Sequence, residues 1–126
     1  MTLSLDQAIL SLDMLIFTLR KCRKEKNLTC ARKVQTIAYE SGLDSHAMLG
    51  NFAVPMFVEC GSIADAQQVF YRVLPHPNEH SWSSLIQGYS EYGDPHHAFS
   101  LFQDMQNALI VPSVYTYVAL LKARGR

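Results

Sequence analysis

The sequence predicts an all-α protein, an α-solenoid of stacked antiparallel helix pairs. Two stretches, CGSIADAQQVF at 60–70 and YGDPHHAFSLF at 92–102, share a glycine at the second position, an alanine at the seventh and a phenylalanine at the eleventh. Aligning Ala66 with Ala98 gives an offset of 32 residues, and Ala31 precedes Ala66 by 35. Apolar residues in these stretches recur every three or four positions, the period of a helix face. A repeat period in the thirties is typical of helical solenoids.

The internal alignment divides the chain into units, each with a helix A, a short turn and a helix B. The predicted units are residues 12–46, 47–78 and 79–113, and residues 114–126 supply the first helix of a truncated fourth unit. Residues 1–11 are expected to be the end of a preceding repeat or an N-terminal extension.

In the first two units, helix B carries an apolar stripe with clear boundaries. The first stripe is Leu28, Ala31, Val34 and Ile37, ended by Gly42, and the second is Ile63, Ala66, Val69 and Phe70, capped by Ser62 and followed by Pro75 and Pro77. Pro55 lies inside helix A of the second unit, where a proline removes a hydrogen bond and costs about 3 kcal/mol in a straight helix. A kink or a damaged repeat is therefore expected there.

The third unit shows both helices and the turn between them. Helix A carries Trp82, Leu85, Ile86 and Tyr89, and helix B carries Ala98, Leu101, Phe102 and Met105. Gly93 is expected to end the first helix, and Asp94 with Pro95 supplies an N-cap and a first-turn proline for the second. One alanine per unit should let the two helices approach closely, while Phe or Val fills the gap to the next unit.

Composition limits the functional classes. The chain has 126 residues, of which 48% are hydrophobic, so it should fold, and its eleven basic and eleven acidic residues cancel. Nucleic-acid binding would therefore depend on a local patch. Cys22, Cys30 and Cys60 show no C-x-x-C spacing, which favours a reducing compartment and buried structural thiols.

No membrane or targeting segment is expected from the sequence. The apolar run from Ala8 to Leu19 is too short to span a bilayer and contains Asp13. It lacks the basic start and small-residue cleavage site of a secretory signal. The first nineteen residues contain no Arg or Lys, so no organellar transit peptide is visible.

The repeated units resemble a known family. The third unit, EHSWSSLIQGYSEYGDPHHAFSLFQDMQNALIVPS, resembles a standard pentatricopeptide repeat, with its S-W start, G-Y, glycine turn, A-x-x-L-F-x-x-M and terminal P-S. The second, with LGN and ECGSIADAQQVF, is similar to the short motif of the plant PLS class. The first, with LRKC and NLTCARKVQTIAYESGLDSH, resembles the long motif, and VYTYVALLKA opens another long motif.

The resemblance implies binding of single-stranded RNA, with about one base read per unit. In the family, the base is read by the fifth and the last residue of a unit. These residues are Asn51 with Asn78 in the short unit, and Ser83 with Ser113 in the standard unit. The asparagine pair resembles the family's pyrimidine pair with cytosine favoured, whereas serine at the fifth position is associated with purines.

Other positions carry alternatives. Long units usually read bases weakly, so Ile16 with His46, and Val118, are poor candidates. The second residue of a unit commonly stacks beside the base, which nominates Met48 and His80 as base-stacking residues.

Two base-reading assignments also stay open. Asn51 has a competing interpretation as a polar residue near a helix start. The spacing before Trp82 leaves Pro77 as an alternative to Asn78.

The basic run RKCRKEK has two interpretations. Its five cations are Arg20, Lys21, Arg23, Lys24 and Lys26. Cations near a helix C-terminus favour the helix dipole, so a solvated helix end accounts for them. Alternatively they contact RNA phosphates, which would make the affinity fall with salt.

The chain is expected not to be an enzyme and to use no cofactor, metal or small-molecule substrate. The H-x-E and P-C-x-x-C motifs of zinc deaminases are absent, and His96 and His97 are adjacent, so they do not share a helix face. The expected partners are single-stranded RNA and a separate editing or deaminase factor, with no membrane partner. The resemblance implies a mitochondrion or chloroplast and a role in C-to-U editing or RNA processing. The alternative is a protein-interaction scaffold or a non-functional fragment.

Overall fold

The part of the chain that the structure describes folds into seven helices. In the computed structural model, the backbone is described for residues 5–73 and 75–125, and the side chains are described from residue 11 onward over the same ranges. The helices are α1 (Leu5–Glu25), α2 (Leu28–Glu40), α3 (Ala47–Glu59), α4 (Ile63–Phe70), α5 (Glu79–Tyr92), α6 (Pro95–Asn107) and α7 (Val114–Arg124). The described residues contain no β-strand, and the all-α class is confirmed.

The helices pack as pairs that stack on one another. Within the units α1 packs on α2, α3 on α4 and α5 on α6, while α1, α3, α5 and α7 contact one another in chain order. The helices α3, α5 and α7 begin at Ala47, Glu79 and Val114, which are the first residues of the predicted units. Helix α1 begins at Leu5, so residues 5–11 continue into helix A of the first unit without a break.

Side chains predicted as caps begin the helices. The Ser62 hydroxyl accepts a hydrogen bond from the Asp65 backbone N–H at the start of α4. The Asp94 carboxylate accepts from the His96 N–H at 3.0 Å, one residue after Pro95 opens α6. Each cap satisfies a backbone donor that has no partner within its helix, which stabilises the helix start by about 1 kcal/mol.

The turns after four helices adopt a left-handed backbone. Gly42 and Gly61 have φ of +75° and +86°, while Lys26 and Leu109 reach 52° and 60° with a side chain present. In the second unit, the next residue, Ser62, donates its N–H to the Phe57 carbonyl at 2.9 Å, which closes the helix end. Lys26 and Gly61 occupy equivalent turns of the first and second units.

Gly93 ends α5 for a different reason. Its φ is −125°, outside the left-handed region. A Cβ atom on Gly93 would lie 2.9 Å from Cδ1 of Tyr89. The glycine therefore permits a close approach to the Tyr89 ring.

The core confirms the packing expected for the repeated alanine and phenylalanine. Ala31, Ala66 and Ala98 are fully buried, one in each helix B. Phe70 meets Trp82 of the following unit edge to face, with ring centroids 4.7 Å apart. The phenylalanine thus connects two neighbouring units.

Two expectations need correction. Ile37, predicted within the buried stripe of α2, is 50% exposed and lines an open groove with exposed Met14 of α1. Of the three cysteines only Cys22 is buried, while Cys30 and Cys60 are partly exposed. Burial raises the pKa of the Cys22 thiol to about 12, with a contribution from hydrogen bonding to Cys30.

Pro55 does not end its helix. Helix α3 continues from Ala47 to Glu59, with Pro55 buried inside it. The helix is therefore continuous through this proline, and the second unit keeps both of its helices.

Within the described residues, none of the helices combines the length and apolar character needed to cross a membrane. Among the same residues, no three His, Cys, Asp or Glu side chains are grouped so that they could hold a metal ion.

Candidate nucleic-acid interface

Asn51 and Asn78, predicted as a base-reading pair, lie side by side. Asn51 projects from α3 and Asn78 is the N-cap of α5. The Asn78 backbone N–H donates to Asn51 Oδ1 at 3.0 Å, and the Ser81 hydroxyl donates to the same oxygen at 2.8 Å. The Asn78 Oδ1 atom accepts from the Ser81 N–H at 2.9 Å. Asn51 therefore links the second unit to the third.

This network fixes the orientation of both amide groups. A backbone N–H can only donate, so the atom that it meets in each asparagine must be the carbonyl oxygen. None of the hydrogen bonds among the described residues uses the Nδ2 atom of Asn51 or Asn78. The pair therefore presents N–H donors to a ligand, while its acceptor atoms belong to the scaffold.

The geometry also bears on the alternatives for this pair. The N-cap of α3 is His46, whose side chain accepts from the Met48 N–H, so Asn51 is not the cap of that helix. Asn78 is the residue that hydrogen-bonds to Asn51, which favours it over Pro77 as the partner.

Ser83 and Ser113, the pair predicted in the third unit, have a different environment. Ser83 is 5% exposed, and its hydroxyl donates to Glu79 Oε1 at 2.6 Å and lies 2.6 Å from Thr116 Oγ1. Ser113 precedes α7, and its backbone N–H donates to Thr116 Oγ1 at 3.0 Å. The Ser83 hydroxyl is thus occupied on both sides by protein atoms.

Three residues of these networks were missed by the sequence reasoning. They are Ser81, Glu79 and Thr116. Ser81 and Thr116 are each the third residue of a unit, and each meets the fifth residue of the preceding unit. Comparing the third positions of the aligned units would have revealed this shared hydroxyl.

The Glu79 carboxylate stays ionised within its network. Burial raises the pKa of Glu79, but hydrogen bonding by the side chains of Ser113, Ser83 and Thr116 lowers it, and the net pKa lies below the usual value. Hydroxyl donors stabilise the charged form of a carboxylate. A negative charge is therefore fixed where the third unit meets the fourth.

The two predicted stacking residues lie in separate grooves. Met48 is 60% exposed in a groove of about 350 Å³ with Phe17, Phe52 and Arg20. His80 lies in a groove of about 250 Å³ that α1, α3 and α5 share. Both grooves are formed by the first helices of neighbouring units.

The basic run at the end of α1 is partly neutralised. Arg23 forms a two-pronged pair with Glu59, with Nε and Nη2 each 2.6 Å from a carboxylate oxygen. Hydrogen bonding to Arg23 lowers the pKa of Glu59. The guanidinium groups of Arg20 and Arg23 lie 6.0 and 5.6 Å from the centre of the Phe52 ring. Lys21, Lys24 and Lys26 are exposed.

Comparison with known proteins finds similarity to one type of helical repeat. A profile described as the PPR repeat family matches residues 77–125. A mitochondrial pentatricopeptide repeat-containing protein of Arabidopsis thaliana is 31% identical over 105 residues, which are 83% of this chain and 14% of that protein. These matches support a pentatricopeptide repeat protein. The helical pairs of such repeats form solenoids, in agreement with the fold.

Two further relatives extend the similarity. A second mitochondrial pentatricopeptide repeat-containing protein of Arabidopsis thaliana is 29% identical over 107 residues, 85% of this chain and 16% of the relative. A chloroplastic one is 28% identical over 107 residues, again 85% of this chain and 17% of the relative. The chain spans less than a fifth of the length of these three pentatricopeptide repeat relatives.

Proposed function

We propose that this chain is a single-stranded RNA-binding part of a pentatricopeptide repeat solenoid, in which the unit 47–78 reads one base with Asn51 and Asn78. The observation that carries the proposal is the hydrogen bond between these two residues. It holds two amide groups together, with both carbonyl oxygens bound to the scaffold and both NH₂ groups left for a ligand.

The chemistry of this pair favours cytosine. The Watson–Crick edge of cytosine carries two adjacent acceptors, N3 and O2, which match two N–H donors. In uracil a donor, N3–H, stands between the two carbonyl oxygens, so one amide would face a donor. Single-stranded RNA is read by such hydrogen bonds to unstacked bases. Met48 and the neighbouring Phe17 and Phe52 supply apolar surface for stacking.

The phosphate contacts in this proposal are few. Arg20, Lys21, Lys24 and Lys26 are the candidates from the basic run, since Arg23 is bound to Glu59. A small number of contacts implies a shallow dependence of affinity on salt. Ser83, Ser113 and His80 are the other residues that the family resemblance nominates for contacts with bases.

The biological setting that we propose is organellar RNA modification. Site recognition for C-to-U editing, or RNA processing, would be carried out in a mitochondrion or chloroplast together with a separate editing factor. The names of the mitochondrial and chloroplastic relatives and the resemblance of the units to the PLS class support this setting.

The test is base preference measured by fluorescence anisotropy with short RNAs that differ at one position. The chain should bind the cytosine RNA better than the uracil RNA, and Asn78→Asp should shift the preference toward uracil, because the carboxylate accepts from N3–H. Asn107→Ala, at the exposed end of α6, is the control and should leave the preference unchanged. Absence of RNA binding at low salt would overturn the proposal.

A protein-interaction scaffold is the second candidate. Helix α7 exposes Tyr115, Tyr117 and Leu121, which would suit an apolar partner. A chain that binds no RNA but retains its helical fold would favour this candidate.

A further inference from the structure

The junction between the third and fourth units contains a carboxylate surrounded by hydroxyl groups. Glu79, at the start of α5, accepts from the Ser83 hydroxyl at 2.6 Å and from the Thr116 hydroxyl at 3.3 Å. Both bonds end on Oε1 of Glu79. The equivalent place between the second and third units holds Asn51 and Ser81, with no carboxylate in their network.

The hydrogen bonds at this junction run in one direction. The Ser113 N–H donates to Thr116 Oγ1, so the Thr116 hydroxyl hydrogen points toward Ser83 and Glu79. Ser83 in turn gives its only hydrogen to Glu79. The Thr116 and Ser83 hydroxyl groups therefore both donate within the protein. The series of hydrogen bonds that begins at the Ser113 N–H ends at the Glu79 carboxylate.

We infer that Glu79, rather than Ser83, is the base-reading residue of the third unit, and that it accepts a base edge rich in N–H donors, guanine above all. The inference rests on the proposed function. Ser83 is buried with its hydrogen committed, whereas Glu79 is only partly buried. The two carboxylate oxygens offer about four acceptor positions, more than the three hydroxyl groups of Ser83, Thr116 and Ser113 use.

The choice of guanine follows from hydrogen-bond polarity. Guanine presents two adjacent donors, N1–H and the N2 amino group, on its Watson–Crick edge, and a carboxylate can only accept. Cytosine presents two acceptors on the same part of its edge, which the negative charge would repel. Since Glu79 directly follows Asn78, the donor site of the second unit and this acceptor site are neighbours along the chain. The pair of sites should therefore select neighbouring cytosine and guanine bases.

The test is selection of single-stranded RNA from a randomised pool, followed by sequencing. The wild-type chain should enrich cytosine at one position and guanine at a nearby position, with guanine favoured about tenfold. Glu79→Gln should lose the guanine enrichment and keep that of cytosine. Glu91→Gln is the matched control, because Glu91 lies on the same helix and also links α5 to α7, through Lys122 at 3.3 Å. It should change neither preference.

A second variant separates the role of Ser83 from that of Glu79. Ser83→Ala should keep the guanine enrichment if Glu79 reads the base, and circular dichroism checks that each variant is helical. Loss of guanine enrichment in a folded Ser83→Ala chain would overturn the inference. Cytosine enrichment without guanine enrichment in the wild type would also overturn it while leaving the proposed function intact. No enriched RNA at all would overturn the proposed function itself.

Discussion

The two polar junctions of the solenoid use the same position for different chemistry. At the second junction, between the second and third units, Asn51 meets Ser81, and at the third junction Ser83 meets Thr116. In both, the fifth residue of one unit contacts the third residue of the next. The second junction leaves amide donors free, whereas the third gathers its hydroxyls around Glu79. The stacking of the units therefore fixes the position of each polar contact. The side chains at that position decide which hydrogen-bond donors or acceptors stay available to a ligand.

The first junction shows what remains when the polar link is absent. Its equivalent residues are Ile16 and Leu49, which are both buried in the core. Apolar side chains stabilise stacking by burial but offer no hydrogen bond to a base edge. This contrast supports the prediction that the first unit reads a base weakly.

Breaking the second junction should have the largest effect. In Asn51→Ala, the Asn78 N–H and the buried Ser81 hydroxyl lose their shared acceptor, so the free energy of unfolding should fall by about 2 kcal/mol. Chemical denaturation followed by circular dichroism measures this change. Asn107→Ala on α6 is the control and should shift stability by less than about 0.5 kcal/mol. Equal stability of the two variants would contradict the linking role of Asn51.

Breaking the third junction should cost less. Thr116→Val keeps the shape of the side chain but removes the acceptor for the Ser113 N–H, and we expect a loss of about 1 kcal/mol. The same denaturation experiment applies. Thr36→Val, where an exposed hydroxyl bonds to the Arg32 carbonyl, is the matched control. A Thr116 variant that behaves like the Thr36 variant would show that the link at the third junction is energetically neutral.

The charge at the third junction predicts a dependence on pH. The pKa of Glu79 is lower in the fold than its ordinary value of 4.5. The unfolded chain therefore binds the proton more readily, so the stabilisation is present above the unfolded pKa and is lost as the pH falls through the folded pKa. The stability difference between the wild type and Glu79→Gln should shrink below pH 4.5. Thermal unfolding at several pH values measures it, and a constant difference would argue against the contribution.

The smallest effect is expected at the rim of the third junction. Lys122 and Glu91 form a partly exposed pair at 3.3 Å. Removing it by Lys122→Ala should change the free energy of unfolding by about 0.3 kcal/mol, because solvent and salt screen exposed pairs. The difference in the free energy of unfolding between the wild type and Lys122→Ala should become smaller at high salt. A loss above about 1 kcal/mol would mean that this pair, rather than Ser83 and Thr116, holds the junction.

The sequence was sufficient for the helix pairs and for the caps and turns that bound α4 and α6. Ser62, Asp94 and Gly61 act locally, within a few residues of the helix ends that they define, so their patterns are readable from the chain. The links at Asn51 and Glu79 join residues about thirty positions apart, and they depend on how one unit stacks on the next. The pairing of Arg23 with Glu59 has the same origin. Fold class was therefore predictable, while the use of each polar side chain required the structure.

Lys26 places a charged side chain in the first turn at a backbone conformation that is unfavourable for any residue other than glycine. The left-handed conformation costs a residue with a side chain about 1 kcal/mol, which Gly61 avoids in the second unit. Lys26 nevertheless lines the groove that contains His80 and Glu59. A glycine at this turn would fold more easily but would leave the groove with one cation fewer. Selection for stability alone would therefore be expected to replace this lysine with glycine. At this turn, a positive charge in the groove is kept at the expense of backbone stability.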